Sequence, residues 1–216
     1  MAHDPGAHWE SVHSTKAVDG VSWWQPEDEL WLDLIDDLDL PRDDLVLDVG
    51  SGSSLLVDAL LARGHRRLVA VDVSSAALER IRERVGSRPG VQLIAADVRT
   101  LRVEEPVELW HDRAVFHFLT DPADQGAYAL SLRAALTPTG HVIVATFAPD
   151  GPDTCSGLPV QRYDADALAA ALGFAPDAII RSERRVHTTP WGTEQPFTVV
   201  VLANGSVAEG AQDVAH

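Results

Sequence analysis

Short apolar runs alternate with segments of helical periodicity through most of the chain after residue 44. The apolar runs are typical of buried strands and cover residues 45–49, 67–73, 91–98, 107–112 and 141–147. The segments with helical spacing cover residues 53–64, 74–86 and 121–140, and Gly or Pro stands at their ends. Strict alternation of strand and helix predicts βαβ units, so we expect an α/β fold with a mostly parallel sheet and helices on both faces.

The pattern changes after residue 147. A loop rich in Gly and Pro leads to a helical segment at 164–173, and two β-rich runs follow at 178–187 and 197–203. The segment between these runs, TTPWGTEQP, is typical of a turn, so the runs are predicted to form an antiparallel hairpin at the sheet edge. Residues 204–216 are small and polar and are predicted to be a flexible tail.

The N-terminal part has a different pattern of apolar and polar residues. After VSWW at 21–24, apolar residues recur at helical spacing up to Pro41, with acids between them. Glu27, Asp28 and Glu29 suit the positive end of a helix dipole, and the remaining acids fit a solvated face. We therefore predict three parts: a cap of 1–44 with an amphipathic helix, a core of 45–203, and the tail.

Composition and charge narrow the class of protein. The 216 residues are 45% apolar, which fits one globular domain, and no apolar stretch approaches the roughly 18 residues that cross a bilayer. With a single cysteine and no signal-peptide pattern, we expect a cytoplasmic protein without internal disulfides. The net charge of −16, of which −11 falls in residues 1–50, disfavours nucleic acid as a partner.

The strongest chemical signal is a glycine motif at the end of the first strand. Asp48-Val49-Gly50-Ser51-Gly52-Ser53-Ser54 leads directly into a helix, where glycines allow a close backbone approach to a ligand. Asp72 ends the second strand, 22 residues after Gly50, at a distance suited to the hydroxyls of an adenosine ribose. Asp97 and Val98 end the third strand on the same edge. Ligands bind at this edge in open α/β sheets, so a nucleotide-type site is predicted.

The motif does not fit a dinucleotide fingerprint, because a third glycine is expected at position 55, which is Leu55. A nicotinamide-dependent oxidoreductase is thereby disfavoured. The residues instead resemble the class I S-adenosylmethionine-dependent methyltransferases, whose acidic-x-Gly-x-Gly motif is matched here with Ser54 in place of the frequent third glycine. The resemblance covers residues 45–147 and implies a Rossmann-like seven-stranded sheet whose last strand is antiparallel.

The resemblance also implies cofactor-binding roles for particular residues. It places Asp48 near the methionine amino group of S-adenosylmethionine, the loop Gly50-Ser51-Gly52 behind the cofactor, and Asp72 with Val73 at the ribose. It places Asp97 and Val98 around the adenine and Asp112 on the methionine and acceptor side. An ordinary structural role, the capping of a following turn, stays open for the acids.

The segment WHDRAVFHFLTDP at 110–122 is similar to the fourth-strand segment of the thiopurine and tellurite methyltransferase group. Methyl transfer is an in-line displacement that needs mainly alignment, with a base where the acceptor must lose a proton. His117 is the candidate base and Asp112 the second candidate catalytic residue. A core histidine held by hydrogen bonds is the alternative for His117.

The predicted acceptor pocket combines aromatic residues with one thiol. Its candidate lining is Trp23, Trp24, Phe116, His117, Cys155 and Trp191. No metal is expected, because His111, His117, Cys155 and His187 lack the close spacing of a structural zinc site. The prediction is a monomeric or homodimeric enzyme that methylates a small molecule at sulfur, nitrogen or another soft centre. A protein or peptide methyltransferase and a non-catalytic cofactor sensor stay open.

Overall fold

Seven strands form one sheet in the computed structural model, which describes residues 5–26 and 31–205. The strands are β1 (Leu45–Val49), β2 (Arg67–Asp72), β3 (Val91–Ala95), β4 (Val107–Arg113), β5 (Leu136–Phe147), β6 (Thr154–Cys155), β7 (Leu158–Pro159), β8 (Ile179–Thr188) and β9 (Glu194–Ala203). The helices are α1 (Pro5–Thr15), α2 (Asp33–Asp36), α3 (Leu56–Ala62), α4 (Ser75–Val85), α5 (Pro122–Ala135) and α6 (Ala165–Ala171). Strands β6 and β7 form a separate small hairpin.

The order of strands in the large sheet is β3-β2-β1-β4-β5-β9-β8. Neighbours among β1 to β5 are parallel, whereas β9 runs antiparallel to both β5 and β8. The Rossmann-like sheet and its antiparallel last strand are therefore confirmed. Strand order reverses between β1 and β4, and in such sheets the crevice beyond the carboxyl ends of the strands is the ligand site.

The sheet is buried on both faces because its central strands are apolar at successive positions. In β1, Val46 packs into the core on one face and Leu47 into the core on the other, and all five residues of the strand are buried. The same division continues in β2 with Leu68 and Val69. Helices on each side cover these layers, as expected for parallel strands.

The N-terminal cap differs from the prediction. Among the described residues of the predicted cap helix, only Asp33–Asp36 (α2) are α-helical, and its dipole-matching acids at 27–29, together with Leu30, lie outside the described residues. Trp31 has a φ of 56°, which no α-helix allows, and its ring packs on Phe197 instead. Helix α1 lies in a segment for which no helix was predicted.

The acids of the cap also do more than face solvent. Asp33 forms ion pairs with Arg181 and Arg185 of β8, and Asp37 pairs with Arg181 at 2.6 Å. These ion pairs connect the cap to β8, the edge strand of the sheet. The hairpin β8–β9 thus has partners on its outer side as well as in the sheet.

No helix among residues 5–26 and 31–205 is long and apolar enough to cross a membrane. Strand β9 ends at Ala203, and residues 206–216 of the predicted flexible tail lie outside the described part of the chain. The boundaries predicted for the cap, core and tail stay predictions.

Candidate active site

A cleft of about 410 Å³ lies at the carboxyl ends of β1, β2 and β4. Its volume falls in the range of about 300–1,000 Å³ that small-molecule sites occupy. Gly50, Gly52 and Asp72 line the cleft together with Trp9, His13 and Trp23, and the ring of His13 lies next to Gly52. The cleft therefore coincides with the edge where the sequence predicts a nucleotide-type ligand.

The glycine loop is shaped by two backbone conformations that favour glycine. Gly50 has a φ of 59°, and a Cβ on it would collide with the Cγ2 atom of Val115. Gly52 has a φ of 53°, and its N–H donates a 2.8 Å hydrogen bond to Oδ2 of Asp72. This hydrogen bond holds the glycine loop at the end of β2, and the backbone of the loop lines the cleft.

Asp72 is a buried carboxylate in the cleft wall. Besides Gly52, it accepts a 2.8 Å hydrogen bond from the N–H of Ser74 at Oδ1. Burial raises the pKa of Asp72 to about 6, against the lowering effect of these two hydrogen bonds. Each carboxylate oxygen keeps further acceptor capacity, which suits a pair of ligand hydroxyls.

Asp97 lines the cleft beside Val98, and Val73 lines it next to Asp72. The Asp97 carboxylate accepts from the N–H of Arg99 at 2.9 Å and pairs with its guanidinium, which lowers the pKa of Asp97. Arg99 also donates to Asp124 at 2.7 Å. Asp97 therefore has the ordinary structural role of capping the turn that follows it. It also lines the cleft at the end where the sequence predicts the adenine.

Asp48 lies behind the glycine loop and does not itself line the cleft. Its Oδ1 accepts a 2.7 Å hydrogen bond from Nδ1 of His111, the strand partner opposite it, whereas its buried Oδ2 has no partner among the described residues. Ser51 is also buried outside the cleft lining, and its N–H donates to the carbonyl of Val71. Asp48 and Ser51, two predicted cofactor contacts, are therefore buried beside the cleft and do not line it.

The structure corrects the expected place of Asp112. Its side chain is fully buried and absent from the cleft lining, because both oxygens anchor the turn after β4. They accept from the N–H groups of Val115 and Phe116 at 2.8 and 3.1 Å, and from the Tyr128 hydroxyl at 2.6 Å. Burial raises the pKa of Asp112 to about 6. This geometry fits a role of Asp112 in positioning the turn.

His117 and Phe116 are likewise placed away from the cleft lining. The His117 ring is fully buried against Phe118 and Phe147, with centroids 4.5 and 4.8 Å away. Burial lowers its pKa to about 3, and neither ring nitrogen has a hydrogen-bond partner among the described residues. A buried imidazole of such low basicity does not fit the predicted base. Phe116 packs in the core, 4.8 Å from Tyr128.

Four aromatic side chains line the cleft and are called the aromatic roof: Trp9, His13, Trp23 and Phe118. Of these, only Trp23 was predicted from the sequence. The ring of Trp9 lies 5.1 Å from Phe118 and 5.5 Å from Trp23, and His13 lies 6.0 Å from Trp23. Trp9 and His13 stand four residues apart, a helical spacing that the sequence offered as a signal.

The roof is attached to the core through α1. The Glu10 carboxylate accepts a 2.8 Å hydrogen bond from the Ser74 hydroxyl and a 3.2 Å bond from the N–H of Ala76. Ser74 is the N-cap residue of α4 and Ala76 lies in its first turn, where an acid also suits the helix dipole. Helix α1 is thus held directly beside the loop that follows Asp72.

The remaining end of the cleft is lined by Arg113 and by the β6–β7 hairpin, including Cys155. Burial raises the pKa of the Cys155 thiol. Trp24 is not part of the lining, and Trp191 is 61% exposed at the tip of the β8–β9 hairpin. The described residues contain no cluster of His, Cys, Asp and Glu able to hold a metal ion. Arg113 is the residue of this end that the sequence-based site omitted.

Comparison with known proteins agrees with this geometry. Residues 46–140 match the model of a methyltransferase domain. No curated protein matches the chain. The fold is similar to an S-adenosylmethionine-dependent methyltransferase from Anabaena variabilis (TM-score 0.70, 14% identity, 92% of each chain).

Two further similar structures contain S-adenosylhomocysteine. One is the N-methyltransferase NodS from Bradyrhizobium japonicum (TM-score 0.65, 17% identity, 91% of this chain and 98% of that one). The other is the 1,6-didemethyltoxoflavin-N1-methyltransferase from Burkholderia thailandensis, also with bound 1,6-didemethyltoxoflavin (TM-score 0.63, 19% identity, 92% of this chain and 86% of that one). In both structures a protein of this fold binds S-adenosylhomocysteine, the product that S-adenosylmethionine leaves after methyl transfer.

Proposed function

We propose that the chain, which matches a methyltransferase domain over residues 46–140 and has the fold of two methyltransferases that bind S-adenosylhomocysteine, uses S-adenosylmethionine to methylate a small-molecule acceptor. The observation that carries the proposal is the cleft itself, which is lined by the glycine loop and by the aromatic roof. A largely apolar cleft of this size suits a cofactor with a compact acceptor better than an extended protein chain.

The proposed cofactor contacts follow the lining of the cleft. Asp72 accepts hydrogen bonds from the ribose hydroxyls, and Asp97 with Val98 borders the adenine. The backbone of Gly50 and Gly52 packs against the cofactor, and a Cβ at these positions would meet Val115 and His13, respectively. When bound, S-adenosylmethionine supplies the electrophilic methyl group, and the chain's residues orient the reactants and exclude water.

The proposed acceptor is a soft nucleophile that reacts without a strong base. The cleft-lining imidazole, His13, is a weak base because burial lowers its pKa to about 4. An acceptor that is already nucleophilic near neutral pH, such as a thiol or an aromatic amine, fits such a site. This chemistry agrees with a place near the thiopurine and tellurite methyltransferase group, which we propose from the segment 110–122.

The roof supplies a second reason for this assignment. Trp9 and Trp23 present aromatic rings to a bound sulfonium, and such rings attract cations while they exclude water. We also propose that the protein acts in the cytoplasm as a monomer or homodimer, without nucleic-acid partners.

Binding and transfer experiments test the proposal separately. Isothermal titration is expected to show binding of S-adenosylhomocysteine to the wild-type protein and strongly weakened binding to Asp72→Asn. Methyl-labelled S-adenosylmethionine is then incubated with a cell extract separated by size into small molecules and proteins. Label in the small-molecule fraction supports the proposal, whereas label that travels with protein, or no cofactor binding at all, contradicts it.

A further inference from the structure

The glycine loop is supported from two sides. On one side, the N–H groups of Ser51 and Gly52 donate hydrogen bonds to residues at the end of β2. On the other side, Ser54 joins the loop to α3, and its hydroxyl accepts a 3.1 Å hydrogen bond from the N–H of Leu56. The carbonyl of Ser54 is bound by a side chain of α4. The second support therefore comes from a helix that contributes no residue to the cleft lining.

Arg84 makes this connection from the last turn of α4. Its Nη2 donates to the Ser54 carbonyl at 2.5 Å and to Oδ2 of Asp58, in the first turn of α3, at 3.0 Å. Its Nε donates to Oδ1 of Asp58 at 3.1 Å, and its Nη1 donates to the Arg80 carbonyl of its own helix at 3.3 Å. All three nitrogen atoms of the guanidinium are thus engaged, in a planar arrangement that a lysine ammonium does not reproduce.

Helix α4 also holds the aromatic roof. Besides the two hydrogen bonds that Glu10 accepts from the start of this helix, Arg80 donates a 2.8 Å hydrogen bond to the carbonyl of Lys16, the residue after α1. Helix α1 brings two of the four roof residues to the cleft. The glycine loop and the roof are therefore attached to the same helix, and the guanidinium of Arg84 fixes the position of one relative to the other.

We propose that Arg84 is a positioning residue of the cofactor cleft, which acts through the Ser54 carbonyl to hold the glycine loop in the conformation that binds the cofactor. The inference rests on the proposed function, because it concerns the loop that packs against S-adenosylmethionine there. A loop that is ordered before binding loses less conformational entropy when the ligand arrives. Arg84 therefore contributes to cofactor affinity without touching the cofactor.

The first test measures the affinity of S-adenosylhomocysteine by isothermal titration for wild type and Arg84→Met. Methionine keeps an apolar stem of similar length and removes the hydrogen bonds of the guanidinium. We expect the affinity to fall about three- to tenfold, the range expected for the loss of one net hydrogen bond. Arg82→Met is the matched control, because Arg82 lies on the same helix and pairs with Glu79 of that helix. Its affinity is expected to equal that of wild type.

Two further variants separate the positioning of the loop from the attachment of α4 to α3. In Arg84→Lys the ammonium keeps an ion pair with Asp58 but lacks the fork that also binds the Ser54 carbonyl. We expect a free energy of unfolding close to that of wild type, measured with denaturant, and an affinity as weak as that of Arg84→Met. Asp58→Asn weakens the ion pair and leaves the bond to Ser54, so it is expected to retain most of the wild-type affinity.

Amide hydrogen exchange tests the loop directly and without ligand. Arg84→Met is expected to speed the exchange of residues 51–56, because their support from α4 is lost. The exchange of β2 is expected to stay unchanged, since its strand pairing does not depend on Arg84. A merely structural role would instead speed exchange in the sheet together with the loop.

Two results overturn the inference. The first is an unchanged affinity for S-adenosylhomocysteine, or an unchanged exchange of the loop, in Arg84→Met. The second is an affinity that follows the free energy of unfolding across the variants, with both restored by Arg84→Lys, which shows a merely structural role. If the wild type itself binds no S-adenosylhomocysteine, the proposed function fails. Faster loop exchange in Arg84→Met then shows that Arg84 orders the loop independently of that function.

Discussion

Cofactor affinity is expected to depend on pH through Asp72. In the unliganded protein burial raises the pKa of this carboxyl to about 6, so a large fraction is protonated below that pH. A carboxylate that accepts hydrogen bonds from two ribose hydroxyls is favoured in its ionised form. Binding therefore lowers the pKa of Asp72, and affinity rises as the pH increases through 6.

The size of the effect follows from this shift. If the bound cofactor returns the pKa of Asp72 to the ordinary value of about 4, the two states differ by about two units. The dissociation constant of S-adenosylhomocysteine then increases about tenfold between pH 7.5 and pH 5.0. The ligand's carboxyl group titrates below this interval, and its α-amino group is largely protonated throughout it.

The assay is a series of titrations of S-adenosylhomocysteine from pH 7.5 to 5.0, with near-ultraviolet circular dichroism at each pH to verify the fold. Asp72→Asn is the control, because it cannot ionise, and its weakened affinity is expected to be independent of pH. A flat profile for wild type, or an equal pH dependence in Asp72→Asn, refutes the assignment of Asp72 to the ribose.

Three substitutions, one of them with a matched control, test other parts of the structure. Gly50→Ala is expected to abolish cofactor binding because the added methyl group meets Val115. The control is Gly64→Ala, at a glycine with a positive φ and open space around it. It is expected to lower the free energy of unfolding, measured with denaturant, by only about 1 kcal/mol. Asp112→Ala is expected to lower the free energy of unfolding by about 2–4 kcal/mol, since three buried donors lose their acceptor, and unchanged stability contradicts its anchoring role. His117→Phe is expected to keep full methyl transfer and equal or higher thermal stability, and lost turnover in a folded variant restores His117 as the base.

The sheet could be predicted from sequence because its signals are local and repeated. Strand β1 was predicted with its observed bounds, since five successive apolar or motif residues end at a glycine turn. The edge hairpin was predicted for the same reason. The cleft position of Asp72 and Asp97, which we propose to bind the cofactor, could be predicted from the topology alone.

The acceptor side was harder because its positions depend on tertiary packing. His117 lies between apolar residues and Cys155 lies in a loop rich in Gly and Pro, and only Cys155 lines the cleft. The turn held by Asp112 rotates His117 into the core, which no spacing rule indicates. The interruption at Trp31 shortened the cap helix, and α1 escaped notice because few of its residues are apolar.

The aromatic roof has a kinetic consequence. Trp9, His13 and Trp23 come from the N-terminal segment, and Glu10 and Asp33 tie that segment to α4 and β8. Exchange of a nucleoside beneath the roof therefore requires these ties to loosen, which makes opening slower than diffusion. We expect the demethylated cofactor to leave late in the cycle, so that its release limits turnover and its accumulation inhibits the enzyme.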